Sequence, residues 1–124
     1  MKTVLLVDDE MFARDYLGRV IEKQGFRVVS ASSGEEGIIA YREHRPDYVF
    51  LDILLPGIDG EEVLRYIKDI DDNAAVVFIT GCDNICSPEQ AEKLGARGFL
   101  SKPIFAQDVI DMLNRLQASD AVQN

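Results

Sequence analysis

Four short polar signatures, each directly behind an apolar run, could do chemistry in this chain: Asp8-Asp9-Glu10, Asp52, Thr80-Gly81 and Lys102-Pro103. Each also has an ordinary structural reading. An Asp behind a strand commonly caps the next helix, and Asp9 alone could do only that. Asp52 fits capping less well, because Ile-Leu-Leu-Pro follows it instead of a helical pattern. Thr80 alone could bond a turn, and a solitary Lys102 could be a solvated charge. Convergence of all of them needs a further reason. Two carboxylates about 4 Å apart repel by roughly 4 kcal/mol at an effective dielectric near 20, and one lysine offsets only part of that. A divalent cation offsets the rest, and an all-oxygen ligand set suits a hard ion such as Mg2+ or Mn2+. Mg2+ keeps several waters and takes one or two carboxylates plus phosphate oxygens, so such a site suits a metal-bound phosphoryl group. A carboxylate can itself be the nucleophile, giving an aspartyl phosphate.

The elements that must position these groups are legible as alternating patterns. Five short apolar runs, Thr3–Val7, Arg27–Ala31, Asp47–Leu51, Ala74–Ile79 and Gly98–Ser101, have the length and β-branched content of strands. Helical stripes separate them. Ala13, Leu17, Val20 and Ile21 form one that stops at Gly25. Ser33 to Glu36 and Asp59 to Glu62 have capping-box spacing, and Ser87-Pro88-Glu89-Gln90 adds a proline at the first helical position. A last stripe places Phe105, Val109, Met112, Leu113 and Leu116 on one face, and the small polar residues from Ala118 onward are expected to fray. The expectation is one domain over residues 1–118 with a polar tail, 119–124. Strands joined by helices run parallel with right-handed crossovers, which predicts a doubly wound (βα)5 open sheet. Binding sites in such sheets lie beyond the carboxyl ends of the strands, where all four signatures fall.

Composition narrows the function. The chain has 124 residues, 13 Lys+Arg against 22 Asp+Glu, a net charge of −9 and a hydrophobic fraction of 47%. So acidic a surface repels phosphate backbones and anionic lipid, which disfavours direct nucleic-acid or membrane-surface binding. No apolar stretch approaches the roughly 20 residues of a membrane span, and the N-terminus lacks a signal-peptide pattern, so a cytoplasmic location is expected. Cys82 and Cys86 are too few for a disulfide scaffold and lack His neighbours for zinc, so both read as reduced, partly buried thiols. His44, in Glu43-His44-Arg45-Pro46, reads as a solvated helix end.

The ordered set of Asp8-Asp9, Asp52 with Pro56 and Asp59-Gly60, Thr80-Gly81 and Lys102-Pro103 resembles the receiver domain of two-component response regulators, over residues 3 to 117. The resemblance implies a flavodoxin-like sheet of strand order 2-1-3-4-5. It implies that Asp52 takes a phosphoryl group from a histidine kinase, a phosphotransfer protein or a small phosphodonor. It implies Mg2+ held by Asp9, Asp52 and the Leu54 backbone carbonyl, with Asp8 acting through water. Lys102 would pair with Asp52 and then with a phosphoryl oxygen, Thr80 would move to bond that group, and Gly81 would leave space for it. Phe99 would be the switch aromatic, whose inward turn reshapes the face of the fourth helix, fifth strand and fifth helix for a downstream protein target. Pro103 would follow a cis bond, and the first helix would receive the kinase. Such a protein is a signalling module with self-catalysed phosphotransfer and dephosphorylation only, not a turnover enzyme.

Leu55 stands where the family usually has Met, a mild exchange of similar volume. Leu54 and Cys82 lie two residues beyond Asp52 and Thr80, and neither is a strong partner for an attacking water, which predicts slow hydrolysis of the phosphate. A phosphohydrolase with an Asp nucleophile is the enzymatic alternative. It would need Asp-x-Asp after the first strand and room for a cap domain, both lacking here. A flavin carrier would need a phosphate-cradling first loop, which Asp8-Asp9-Glu10 would repel. A receiver-like interaction module that is never phosphorylated would have little use for the full acidic set. Met1 and the short tail favour a stand-alone receiver over one cut from a longer chain.

Overall fold

Parallel strands covered on both faces must be apolar on both faces, and the central three here are buried except for half-buried Thr3. The computed structural model describes residues 1–81 and 86–123. Their elements alternate as β1 (Thr3–Val7), α1 (Met11–Lys23), β2 (Arg27–Ala31), α2 (Gly34–His44), β3 (Tyr48–Asp52), α3 (Gly60–Ile70), β4 (Val76–Thr80), α4 (Pro88–Lys93), β5 (Gly98–Ser101) and α5 (Ala106–Gln123). All strand pairs are parallel, as the pattern predicts, and their order β2-β1-β3-β4-β5 is the one the resemblance implies.

Alternation along the strands divides the core into two layers. Leu5 and Val7 of β1, Val49 and Leu51 of β3 and Phe78 of β4 pack beneath α2, α3 and α4. Val4, Leu6, Phe50, Val77 and Ile79 face the opposite way, against Leu17, Val20 and Ile21 of α1 and Val109, Met112, Leu113 and Leu116 of α5. Ser33 and Asp59 accept the N–H of Glu36 and Glu62 at the starts of α2 and α3, and Ser87 with Gln90 completes a reciprocal capping box on α4.

β3 and β4 begin one and two residues later than the apolar runs read from the sequence, and they end on Asp52 and Thr80, the groups the sequence reading puts at their ends. α1 is entered through Glu10, whose side chain makes no cap hydrogen bond, so Asp9 is not the helix cap. Phe105 lies outside α5 and is 65% exposed, because the helix begins one residue later and its first-turn Asp108 bonds the Phe105 N–H instead. Nor does α5 fray from Ala118. It runs to Gln123, held by the Asp120 carboxylate, which accepts the Tyr48 hydroxyl at 2.6 Å and pairs with Arg97 at 3.3 Å. Cys86 is a buried free thiol, whereas Cys82 lies outside the described residues. Among the described residues, no helix is long and apolar enough to cross a membrane.

Candidate functional site

The sheet carries the acidic groups to one edge by its own hydrogen-bond ladder. β1 and β3 are adjacent with Val7 opposite Leu51, so the residues that follow, Asp8 and Asp52, emerge side by side. The ladder continues past the strand ends: the Asp8 N–H bonds the Ala31 carbonyl, the Ile53 N–H bonds Ile79, and the Lys102 N–H bonds the Thr80 carbonyl at 2.7 Å. Asp8, Asp52 and Lys102 are therefore fixed through their own backbones. α3 closes on the same point. A Cβ at Gly60 would lie 2.6 Å from the Asp52 carbonyl oxygen and from the Ile53 Cα, so only glycine lets the helix start this close to the acid.

The carboxylates of Asp8, Asp9 and Asp52 each offer an oxygen within 4.8 Å of the others. Asp8 and Asp52 are buried, at 0% and 3% exposure, while Asp9 faces solvent. Asp52 Oδ1 accepts the Leu54 N–H at 3.0 Å, and Oδ2 accepts the Lys102 ammonium at 2.9 Å. Asp8 Oδ1 accepts the Glu10 N–H at 2.9 Å. Asp8 Oδ2 is buried and, among the described residues, lacks an aligned hydrogen bond, although the Lys102 nitrogen lies 3.2 Å away. Lys102 also donates to Glu10 Oε1 at 3.3 Å. One ammonium thus serves three carboxylates.

Electrostatics follows from that imbalance. Burial pushes the Asp52 carboxyl above its ordinary range, and the Asp8 charge adds to this, against the opposing pull of the Lys102 hydrogen bond. Burial alone would ease the proton off Lys102. The hydrogen bond and charge of Asp52, with the charge of Asp8, outweigh it and hold the ammonium well above the usual lysine range. A buried oxygen short of a hydrogen bond, three carboxylates in one cluster and an all-oxygen donor set fit a hard divalent cation such as Mg2+.

Of the other residues singled out by sequence, Thr80 is fully buried at the end of β4, and Gly81 adjoins Lys102, whose side chain a Cβ there would touch at an ordinary 3.7 Å. The Lys102-Pro103 bond is cis. Leu54 is 48% exposed beside Asp52. Phe99 stands opposite Phe78 in the β4–β5 ladder and is partly buried against the α2–α4 layer, away from the acidic cluster. Sequence reading missed Glu10 as a partner of Lys102. Only its place directly behind Asp8-Asp9 could have drawn attention to it.

Comparison with known proteins converges on one family. The response regulator receiver domain profile matches residues 4–114. The chain is 34% identical over 113 residues to the chemotaxis protein CheY of Bacillus subtilis, covering 90% of this chain and 94% of that one. It is 31% identical over 112 residues to sporulation initiation phosphotransferase F of the same organism, covering 90% of each. A receiver domain crystal structure from Clostridium thermocellum superposes with a TM-score of 0.87 at 31% identity, over 98% of this chain and 99% of the other. CheY in a CheX-CheY-BeF3-Mg2+ complex from Borrelia burgdorferi gives 0.85 at 32% identity, over 90% and 86%.

Proposed function

Because this chain belongs to the response regulator receiver domain family, we propose that it is a Mg2+-dependent phosphoacceptor whose nucleophile is Asp52. Receiver domains are signalling modules of two-component and phosphorelay systems that interact with histidine kinases or phosphotransfer proteins. The observation that carries the reading for this chain is the position of Asp52. It is the buried carboxylate at the end of β3, bonded by Lys102 and clustered with Asp8 and Asp9 in a metal-competent group.

In the proposed reaction an Asp52 carboxylate oxygen attacks phosphorus. The bond from phosphorus to the donor breaks, and the electron pair leaves with the imidazole of a phosphohistidine or with acetate from acetyl phosphate. Mg2+, held by Asp9, Asp52 and the Leu54 carbonyl and through water by Asp8, would supply charge neutralisation for the phosphoryl oxygens. Lys102, already on Asp52 Oδ2, is placed to take a phosphoryl oxygen as the group arrives. The product carries about −1.5 to −2 charges where there was one carboxylate. Thr80 would turn its hydroxyl to that charge, Gly81 would leave room for it, and Phe99 would follow. The movement, together with Pro103 behind Lys102, would reshape the α4–β5–α5 face for a downstream protein. The acidic surface directs this signal to proteins and not to nucleic acid.

Incubation with acetyl phosphate and Mg2+ followed by intact-mass measurement tests the reading. Wild type is expected to gain one phosphoryl adduct, and Asp52→Asn none. An unmodified wild type would leave an interaction module that is not phosphorylated, and an adduct on Asp52→Asn would move the acceptor elsewhere.

A further inference from the structure

Lys102 is the cation the proposed reaction depends on, and in the resting protein three carboxylates already surround it. An ammonium has three N–H groups. Two make hydrogen bonds, to Asp52 Oδ2 at 2.9 Å and to Glu10 Oε1 at 3.3 Å, and Asp8 Oδ2 lies 3.2 Å from the same nitrogen. A phosphoryl oxygen arriving at this nitrogen therefore competes with three carboxylate oxygens already within 3.3 Å of it. The three carboxylates differ sharply in what release would entail. Asp8 and Asp52 have side chains 0% and 5% exposed, and withdrawing the ammonium would leave a buried anion short of its partner. The Glu10 side chain is 67% exposed and returns to water when it lets go.

Among the described residues, the Glu10 carboxylate has no other hydrogen-bond or ion-pair partner. Glu10 stands at the entry of α1, yet its carboxylate does not cap the helix, and its N–H is already given to Asp8 Oδ1. Beside it opens a cleft of about 250 Å³ lined by Glu10, Phe12, Tyr16, Lys102 and Ile104, which gives the side chain room to swing away from Lys102.

From this geometry we infer that Glu10 is a positioning residue of the phosphoryl site, an exchangeable partner that occupies the outward hydrogen bond of Lys102 until a phosphoryl oxygen displaces it. The inference rests on the phosphoacceptor reading and adds to it an internal competitor. Glu10 keeps the ammonium aligned over the acids in the resting state and weakens the hold on an incoming phosphoryl group by the strength of one exposed ion pair. Such pairs shift an equilibrium by about two- to fivefold.

The test compares wild type, Glu10→Gln and Asp15→Asn, the last removing an exposed acid from α1 that makes no ion pair with Lys102. Affinity for beryllium fluoride with Mg2+, as a phosphoryl mimic, is read by fluorine NMR, and the rate of modification by acetyl phosphate is read by intact mass. Glu10→Gln is expected to bind the mimic about two- to fivefold more tightly and to be phosphorylated faster by a similar factor, with Asp15→Asn matching wild type. The gap between Glu10→Gln and wild type should close as salt rises, because an exposed pair is screened and a packing defect is not. An unchanged or weaker Glu10→Gln overturns the inference, as does an equal gain in Asp15→Asn, which would assign the effect to net charge. If wild type takes up neither mimic nor phosphoryl group, the phosphoacceptor reading itself has failed and the inference falls with it.

Discussion

The two ends of the sheet solve opposite electrostatic problems with the same residue types. At the carboxyl end, Asp8, Asp9, Glu10 and Asp52 gather around Lys102, which pairs with three of them. At the amino end, Asp120 alone meets Lys2 just before β1, the Tyr48 hydroxyl that begins β3, and Arg97 just before β5. The Tyr48 hydrogen bond leads in holding the Asp120 carboxyl below its ordinary range, whereas burial pushes that of Asp52 above. An acid fully partnered by donors, as Asp120 is, stabilises the fold. A cluster left with surplus anion is the one the proposed function fills with a cation and a phosphoryl group.

The largest expected effect separating the two ends is that of divalent metal. At a concentration 100 times its dissociation constant, a ligand of the folded state adds about 2.7 kcal/mol, roughly 10 °C in melting temperature for a chain of this size. Mg2+ is expected to raise the melting temperature of wild type and of Asp120→Asn alike, and to lose most of that effect on Asp52→Asn. An equal shift in Asp52→Asn would mean that the metal is held elsewhere.

Next in size is a pair of substitutions with opposite signs. A carboxyl held low in the folded state contributes stability above its unfolded value, and that stability is lost as pH falls through the folded value. Asp120→Asn should therefore destabilise by about 1 kcal/mol near pH 7, with the difference fading as pH falls below the ordinary Asp range. A carboxyl pushed high does the reverse: its charge opposes folding above the folded value, and the burden lifts as pH falls through it. In chelator, Asp52→Asn should stabilise the protein near pH 7 and match wild type in acid. Urea melts at the two pH values check both, and equal signs for the two substitutions would break the contrast.

The smallest effect concerns the lifetime of the phosphate. Leu54 stands half-exposed beside Asp52, and its side chain has no polar group to orient water. Leu54→Asn supplies one and should speed decay of the phosphorylated protein by a few-fold, a barrier change of about 1 kcal/mol. No acceleration would mean that Leu54 does not shield the acyl phosphate.

Much of the carboxyl end was legible in the sequence because its parts are local. Each signature follows an apolar run, and parallel topology sends all run ends to one edge. The amino end was not legible. Tyr48 and Asp120 are 72 positions apart, and neither periodicity nor spacing reports a bond between a strand start and the far turn of a helix. The same blindness hid Glu10, whose partner is 92 positions away. Phe105 was misplaced because its spacing suits the α5 stripe, although the helix begins only after it. Cys82, read as a second position governing water attack, lies outside the described residues.

The pairing of Val7 with Leu51 has one more consequence. Because Asp8 and Asp52 follow directly from two neighbouring central strands, the gap between their backbones is the interstrand repeat of about 4.8 Å, a length no side chain can renegotiate. The spacing of the two buried acids is therefore gauged by the sheet, against a ruler made of amides. Substitutions in the helices can retune what surrounds these acids, but to change that spacing the ladder itself would have to slip.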